Sequence, residues 1–316
     1  MNVGVLRGGI SHEYDVSLKT GGEVLRNLPE HCKPRDVLIM RDGSWHLDGL
    51  PIYPHELPKH VDIAVNALHG HFGEDGQVQR LLENIGLPYT GSRHFAASTT
   101  FNKAAAKNIL SQAGIKVPRA YALTAGEEIG PKAKEIFSAF CPPWIIKPAD
   151  NGSSIGISLA RGIVELINGI EEAFRYSDTV LVEEYIRGRE VVLGVMDNYR
   201  SQDTYVLLPV EVRKPRIGVL GYAHKYADEP PYLSAPTLNS EEKSRLEQTA
   251  REAYRSLGLR HYATIDCIVT PNHVYVLEAN SLPGLTPSSP FPQALQTVGC
   301  SQREFLGHVI NQALGR

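Results

Sequence analysis

The sequence predicts an α/β protein that begins with a parallel α/β domain and continues into α+β modules. Two observations set the first part. The apolar run Val3 to Leu6 passes through Gly8-Gly9 into a helical stretch, Val16 to Leu28, and the run Asp62 to Leu68 passes through a second Gly-rich turn into another helix. The third observation is the order helix, strand, small-residue loop, strand, helix, strand that follows residue 100. At 316 residues the chain has room for two or three domains.

In chain order, Val3 to Leu6 is a buried strand at the start and Pro29 ends the helix that follows. Val37 to Met40 is the next strand. Asp62 to Leu68 leads into His69-Gly70-His71-Phe72-Gly73-Glu74-Asp75-Gly76, then a helix with Val78, Leu81, Leu82 and Ile85 on one face, stopped by Gly86 and Pro88. The first domain is expected to end near Gly91-Ser92. Asn102 to Gln112 is a Lys- and Ala-rich helix, and Trp144 to Pro148 a strand ending in Lys147-Pro148. The loop Asp150 to Gly156 follows, then a helix from Gly162 to Tyr176 and a strand from Thr179 to Ile186. Glu190 to Met196 and Tyr205 to Val212 read as strands, and Glu241 to Leu257 as a helix. Ala263 to Val269 and His273 to Ala279 form a hairpin, and Phe305 to Leu314 a last helix. Between them, Arg213 to Pro236 is a long aperiodic stretch, expected to act as a lid.

Composition excludes several classes. Lys plus Arg number 32 against 35 Asp plus Glu, a net charge of -3 with no basic arm, which argues against a nucleic-acid partner. No apolar run approaches the length of a membrane span, and the first residues carry no basic leader. Cys32, Cys141, Cys267 and Cys300 form no CxxC pair, which suits a reducing compartment and an expected cytoplasmic location.

The chemistry gathers in three places. Asp266 on one hairpin strand and Glu278 with Asn280 on the other can face one side, as three oxygen donors for a hard cation or simply as a polar hairpin edge. Lys103 and Lys147 suit phosphate. Lys147 precedes a Gly152-Ser153-Ser154-Ile155-Gly156 loop whose backbone N–H groups can cradle phosphate oxygens, although the loop is not a Walker A motif. Glu13 and His69 follow first-domain strands, where open α/β sheets bind ligands, while Glu74 and Asp75 are expected to stabilise the start of the next helix.

Together these residues resemble the D-alanine:D-alanine ligases of the ATP-grasp superfamily. The resemblance spans essentially the whole chain: GGxSxE with VSL (Gly8 to Leu18), HGxxGEDGxxQ (His69 to Gln79), Lys147 with GSSxG, Lys225-Tyr226, and EAN with PGxT (Glu278 to Thr286). It implies a three-domain ATP-grasp fold with an N-terminal α/β domain, divided at 1–94, 95–182 and 183–316. It also implies a cytoplasmic homodimer joining amino acids by way of ATP and two magnesium ions, with manganese as a substitute, for peptidoglycan synthesis. By this likeness Lys103, Lys147 and Lys225 contact phosphates, Glu183 and Ile186 form the adenine hinge, Glu190 holds the ribose, and Asp266, Glu278 and Asn280 bind the metal. Glu13 receives the first ammonium, His69 lies near the reacting carboxylate, and Ser153 and Tyr226 order the site. The Gly284 N–H serves the oxyanion and Ser289 the second carboxylate. Alternatives are a related ligase with a different amino acid or amine, and an ATP-binding regulatory protein without turnover.

Two positions depart from the family pattern. Thr264 stands where the family places an arginine, and a short neutral hydroxyl cannot replace a guanidinium fork. His261, Arg260 and Arg216 are the expected candidates to compensate. Pro290 stands where a backbone N–H meets the second carboxylate, and proline has none. Weak acceptance of D-alanine as second substrate is the resulting expectation.

Overall fold

The computed structural model describes residues 1–152, 155–212, 232–233 and 236–315. The first sheet holds β1 (Asn2–Gly8), β2 (Lys33–Ile39), β3 (Trp45–Leu47), β4 (Leu50–Pro51) and β5 (Ile63–Asn66) in the order β4-β3-β2-β1-β5. β1 is parallel to both β2 and β5. It is a continuous apolar run because both of its faces are covered. Val3 and Val5 join Val24 and Leu28, on or just beyond helix α1 (Tyr14–Asn27), while Leu6 joins Val78 and Leu82 of α2 (Gln77–Asn84). The β3–β4 hairpin was not anticipated, although Asp48-Gly49 is a two-residue turn signal; both residues have positive φ, 50° and 86°.

Helices α3 (His94–Phe101) and α4 (Lys103–Gln112) break at Asn102, whose side chain accepts from Ala105 N and caps α4. The second sheet is antiparallel: β6 (Ala120–Thr124), β7 (Trp144–Pro148), β8 (Ser158–Ala160) and β9 (Thr179–Glu184), in the order β6-β9-β7-β8. Helices α5 (Ile129–Ala139) and α6 (Ile163–Ala173) share one apolar core with it. The expected boundary between residues 182 and 183 falls inside β9.

The third sheet holds β10 (Arg189–Tyr199), β11 (Gln202–Val206), β12 (Val210–Val212), β13 (Tyr232–Leu233), β14 (Tyr262–Val269) and β15 (Val274–Asn280). Its order is β13-β12-β10-β14-β15, with β11 also paired to β10. The single strand expected from Tyr205 to Val212 is two strands, broken where Pro209 cannot donate to a ladder. Helix α7 (Ser240–Ser256) and α4 bury Leu246, Ala250, Ala106 and Leu110 against this sheet.

The last two helices, α8 (Pro290–Thr297) and α9 (Gln302–Ala313), return to the first sheet. Phe291, Phe305, Leu306 and Ile310 share a core with Val3, Val5, Ile63 and Val65. Sequence order assigned them to the third domain, but their packing ties the end of the chain to its beginning.

Candidate active site

The three sheets meet around a cavity of about 410 Å³. The wall that carries the candidate metal ligands comes from β14 and β15. Asp266 pairs with Glu278 and Thr264 with Asn280, so each pair lies side by side. A bulge makes this possible. Cys267 pairs with Val276 rather than with Leu277, so Val276 turns into the core while Glu278, two residues on, lines the cavity. Asp266, Glu278 and Asn280 all line it, as expected. Two carboxylates and an amide oxygen are hard donors that suit magnesium beside phosphate oxygens. Among the described residues there is no larger cluster of His, Cys, Asp and Glu that could hold a metal ion.

Lysines line the adjoining wall. Lys103 opens α4, its backbone N–H donating to Ala149 O at 2.8 Å, which ties the helix start to the end of β7. Its Nζ donates to Asn151 O at 2.6 Å and lies 3.9 Å from Glu278. Lys147 on β7 is buried, with Nζ 3.0 Å from Glu183 Oε1. Burial opposes its charge, but Glu183, with Glu278 farther off, outweighs burial and raises its pKa. Lys107, which sequence reading passed over, lies 3.0 Å from the same Glu183 oxygen. It falls four residues after Lys103, on the same face of α4, and that spacing was the available signal.

Glu183 is 2% exposed and, like Ile186, does not line the cavity. Its carboxylate is committed to the two lysines, which hold it below the usual carboxylate range against the opposing effect of burial. Glu190 on β10 does line the cavity.

The opposite wall comes from the first sheet. Glu13 lies between two close backbone passes: a Cβ on Gly70 would sit 2.7 Å from its Oε2, and one on Gly152 closer still. His69 is buried, with Nδ1 3.0 Å from Glu74 Oε1 and Nε2 2.9 Å from Thr20 Oγ1. Burial opposes protonation, yet the hydrogen bond and charge of Glu74, with Glu13, raise the His69 pKa. Glu74 is therefore a partner of His69 and not a helix cap, which corrects the expectation. Asp75 keeps its expected place, accepting from Phe72 N and Gln77 N at the start of α2. Val16, Lys19 and Thr20, at helical spacing on α1, complete this wall.

Gly284, Ser289 and Pro290 lie on the segment entering α8, and all line the cavity. Ser289 Oγ is 2.8 Å from Thr286 Oγ1, and Pro290 is the first helical residue. Thr264, 4% exposed, lines the cavity beside Asn280, whose Nδ2 donates to its hydroxyl at 3.4 Å. Two proposed substitutes for the missing arginine are engaged elsewhere. Arg260 donates to Gly91 O at 2.8 Å and lies over the Tyr89 ring, and His261 Nδ1 accepts from Gly91 N at 3.1 Å. Neither lines the cavity, so the expectation fails for these two; among the described residues the cavity's lysines are Lys19, Lys103 and Lys147. Arg216, Ser153, Lys225, Tyr226 and the stretch 213–231 lie outside the described residues.

Known proteins resemble this chain in sequence and fold. Residues 109–311 match the family described as D-ala D-ala ligase C-terminus, and 48–92 match D-ala D-ala ligase N-terminus. The D-alanine--D-alanine ligase of Geobacter sulfurreducens is 34% identical over 98% of this chain and 93% of its own length. That of Desulforudis audaxviator is 35% identical over 99% of both. The Bacillus anthracis D-alanine--D-alanine ligase complexed with ATP superposes with a TM-score of 0.81 at 28% identity, covering 100% of this chain and 98% of that one. The VanG D-Ala:D-Ser ligase of Enterococcus faecalis gives 0.85 at 26% identity, over 99% of each chain. With both halves of the site built from segments those proteins share, the chain belongs to the D-alanine:D-alanine ligase family of the ATP-grasp superfamily.

Proposed function

We propose that this protein joins two D-alanines at the expense of ATP, giving D-alanyl-D-alanine, ADP and phosphate. The observation that carries the reading is one cavity with Lys103, Lys147 and the oxygen donors Asp266, Glu278 and Asn280 on one side and Glu13 with His69 on the other. A carboxylate resists attack because its charge repels nucleophiles and its oxygen leaves poorly. Transfer of the γ-phosphoryl group to a carboxylate oxygen of the first D-alanine breaks the bond to the β-phosphate oxygen and makes an acyl phosphate. The amine of the second D-alanine then attacks the carbonyl carbon. Phosphate leaves with the C–O bond electrons, and the amine loses a proton.

Each residue has a physical task in that sequence. Lys103 and Lys147 offset the charge that gathers on the phosphates. Glu13 faces the ammonium of the first amino acid, and the protonated form of His69, favoured by Glu74, places a positive charge near the carboxylate that reacts. The Gly284 N–H is the donor for the tetrahedral oxyanion, and Ser289 meets the carboxylate of the second amino acid. Asp266, Glu278 and Asn280 would hold two magnesium ions, or manganese in their place, whose chemistry is to neutralise phosphate charge. Glu190 serves the ribose, and Ile186 with the backbone at Glu183 the adenine. The protein acts in the cytoplasm, and we infer a homodimer formed through the first sheet's domain, read out by light scattering after gel filtration.

A second reading concerns the acceptor. Pro290 supplies no N–H to a second carboxylate and Thr264 no charge beside the reacting centre, which favours a family ligase using another amine-bearing acceptor. Phosphate release with ATP, magnesium and a panel of D- and L-amino acids and simple amines, with products weighed by mass spectrometry, decides. D-alanyl-D-alanine as the main product at millimolar D-alanine supports the first reading. Another product supports the second, and tight ATP binding without any release would overturn both.

A further inference from the structure

At the cavity wall lies a buried trio whose third member, Lys107, the reaction scheme leaves unexplained. Lys107 on α4 and Lys147 on β7 each bring Nζ within 3.0 Å of one oxygen, Glu183 Oε1 on β9. Their side chains are 7%, 6% and 3% exposed. Two ammonium groups on one carboxylate leave an excess positive charge within hydrogen-bonding distance, in a place where burying even one unbalanced charge is costly. Glu278 acts on both lysines, and Glu190 on Lys147, from farther away. Only Lys147 reaches the cavity; Lys107 does not.

A buried neutral pair of Lys147 and Glu183 would have been the stable arrangement. Such a pair is closed: the carboxylate would take the whole of the lysine's field, and a phosphate would have to compete with it. A second ammonium on the same oxygen divides that carboxylate. We propose that Lys107 is a positioning residue for the nucleotide, sharing Glu183 with Lys147 so that one positive charge stays available to a phosphate arriving at Lys147. The proposal rests on the reading that Lys147 meets nucleotide phosphates. It explains why a lysine that does not touch the cavity is buried beside one that does.

The charge count can be tested without turnover. Binding of ATP with magnesium is measured by calorimetry on the full-length protein in the absence of amino acids, alongside steady-state kinetics and melting temperatures. Lys107→Met makes the trio neutral and is expected to weaken ATP binding about tenfold, with KM for ATP rising and KM for D-alanine unchanged. Lys107→Arg should recover most of the loss. The double variant Lys107→Met/Glu183→Gln restores the excess charge on Lys147 alone, and should bind ATP more tightly than Lys107→Met even if it melts lower. ATP affinity unchanged in Lys107→Met, or no recovery in the double variant, would overturn the proposal. Should Lys107→Met fail to fold, Lys107→Arg decides: it must bind ATP within about threefold of the parent, and weaker binding counts against the proposal. Lys147→Met is the control for the underlying reading. If it binds ATP normally, the role of Lys147 fails; if it binds poorly while Lys107→Met binds normally, only the positioning role fails.

Discussion

Glu278 and His261 show how one side chain's surroundings set its task. Glu278 lies beside Asp266 on the cavity wall and 3.9 Å from Lys103, where charge is handled and little is packed. Glu278→Gln is therefore expected to lower turnover about a hundredfold or more while changing unfolding free energy by less than about 1 kcal/mol. Steady-state kinetics and urea unfolding on the same preparation check both halves, and parent-like turnover would remove Glu278 from the metal site. His261 is the reverse case, a buried ring that accepts from Gly91 N and joins the turn before β14 to the first sheet's domain. Burial, then the charge on Arg260, pushes its pKa down to about 3 from 6.5. The folded state thus favours the neutral ring. Its contribution is complete above pH 6.5 and is lost as pH falls from there towards 3. Between pH 7.5 and 4.5 the parent should lose about 2–3 kcal/mol more stability than His261→Gln, measured by urea unfolding at each pH. Equal losses would mean that the ring titrates normally.

At the scale of elements, the hairpin and α8 carry most of what distinguishes this site. Alternation alone put Glu278 and Asn280 on one face, but the register that sets Asp266 opposite Glu278 also needs the bulge. The bulge at Leu277 was not legible, since an extra residue leaves no mark in a run as apolar as Val274 to Leu277. Pro290 was legible by identity and stands at the first position of α8, where a helix N–H would otherwise point outward unpaired. Pro290→Ala returns that N–H beside Ser289. It is expected to lower KM for the second D-alanine several-fold, about 1 kcal/mol of binding, with α8 little disturbed. Initial rates against D-alanine concentration measure this, and an unchanged KM would show that α8 does not hold the acceptor carboxylate.

Across the whole molecule, the ends of the chain are welded into one core. Phe305 is fully buried against Tyr262 and Phe291, with ring centroids 5.1 Å away from each, and shares its cluster with Val3 and Val65. Phe305→Ala should cost about 3–5 kcal/mol, and it should loosen the first sheet as well as α9. Hydrogen exchange is the test: protection should fall at β1 and β5 together with α9. A loss confined to α9 would separate the two.

Sequence by itself determined the class of fold, the order of its parts and the residue types at the site. Strand and helix periodicity are local, and the glycines and proline that shape loops act where they stand, as at Gly70 and Pro290. It also named Asp266, Glu278, Asn280, Glu13, His69, Lys103 and Lys147, all of which line the cavity. Tertiary structure alone decided that Glu74 serves His69, that Lys107 shares Glu183 with Lys147, and that Arg260 and His261 face Gly91 and not Thr264. It likewise decided that α8 and α9 close the first sheet. These are meetings between side chains on different elements, and what a buried charge does is set by the partner that the fold brings to it, which no local pattern records.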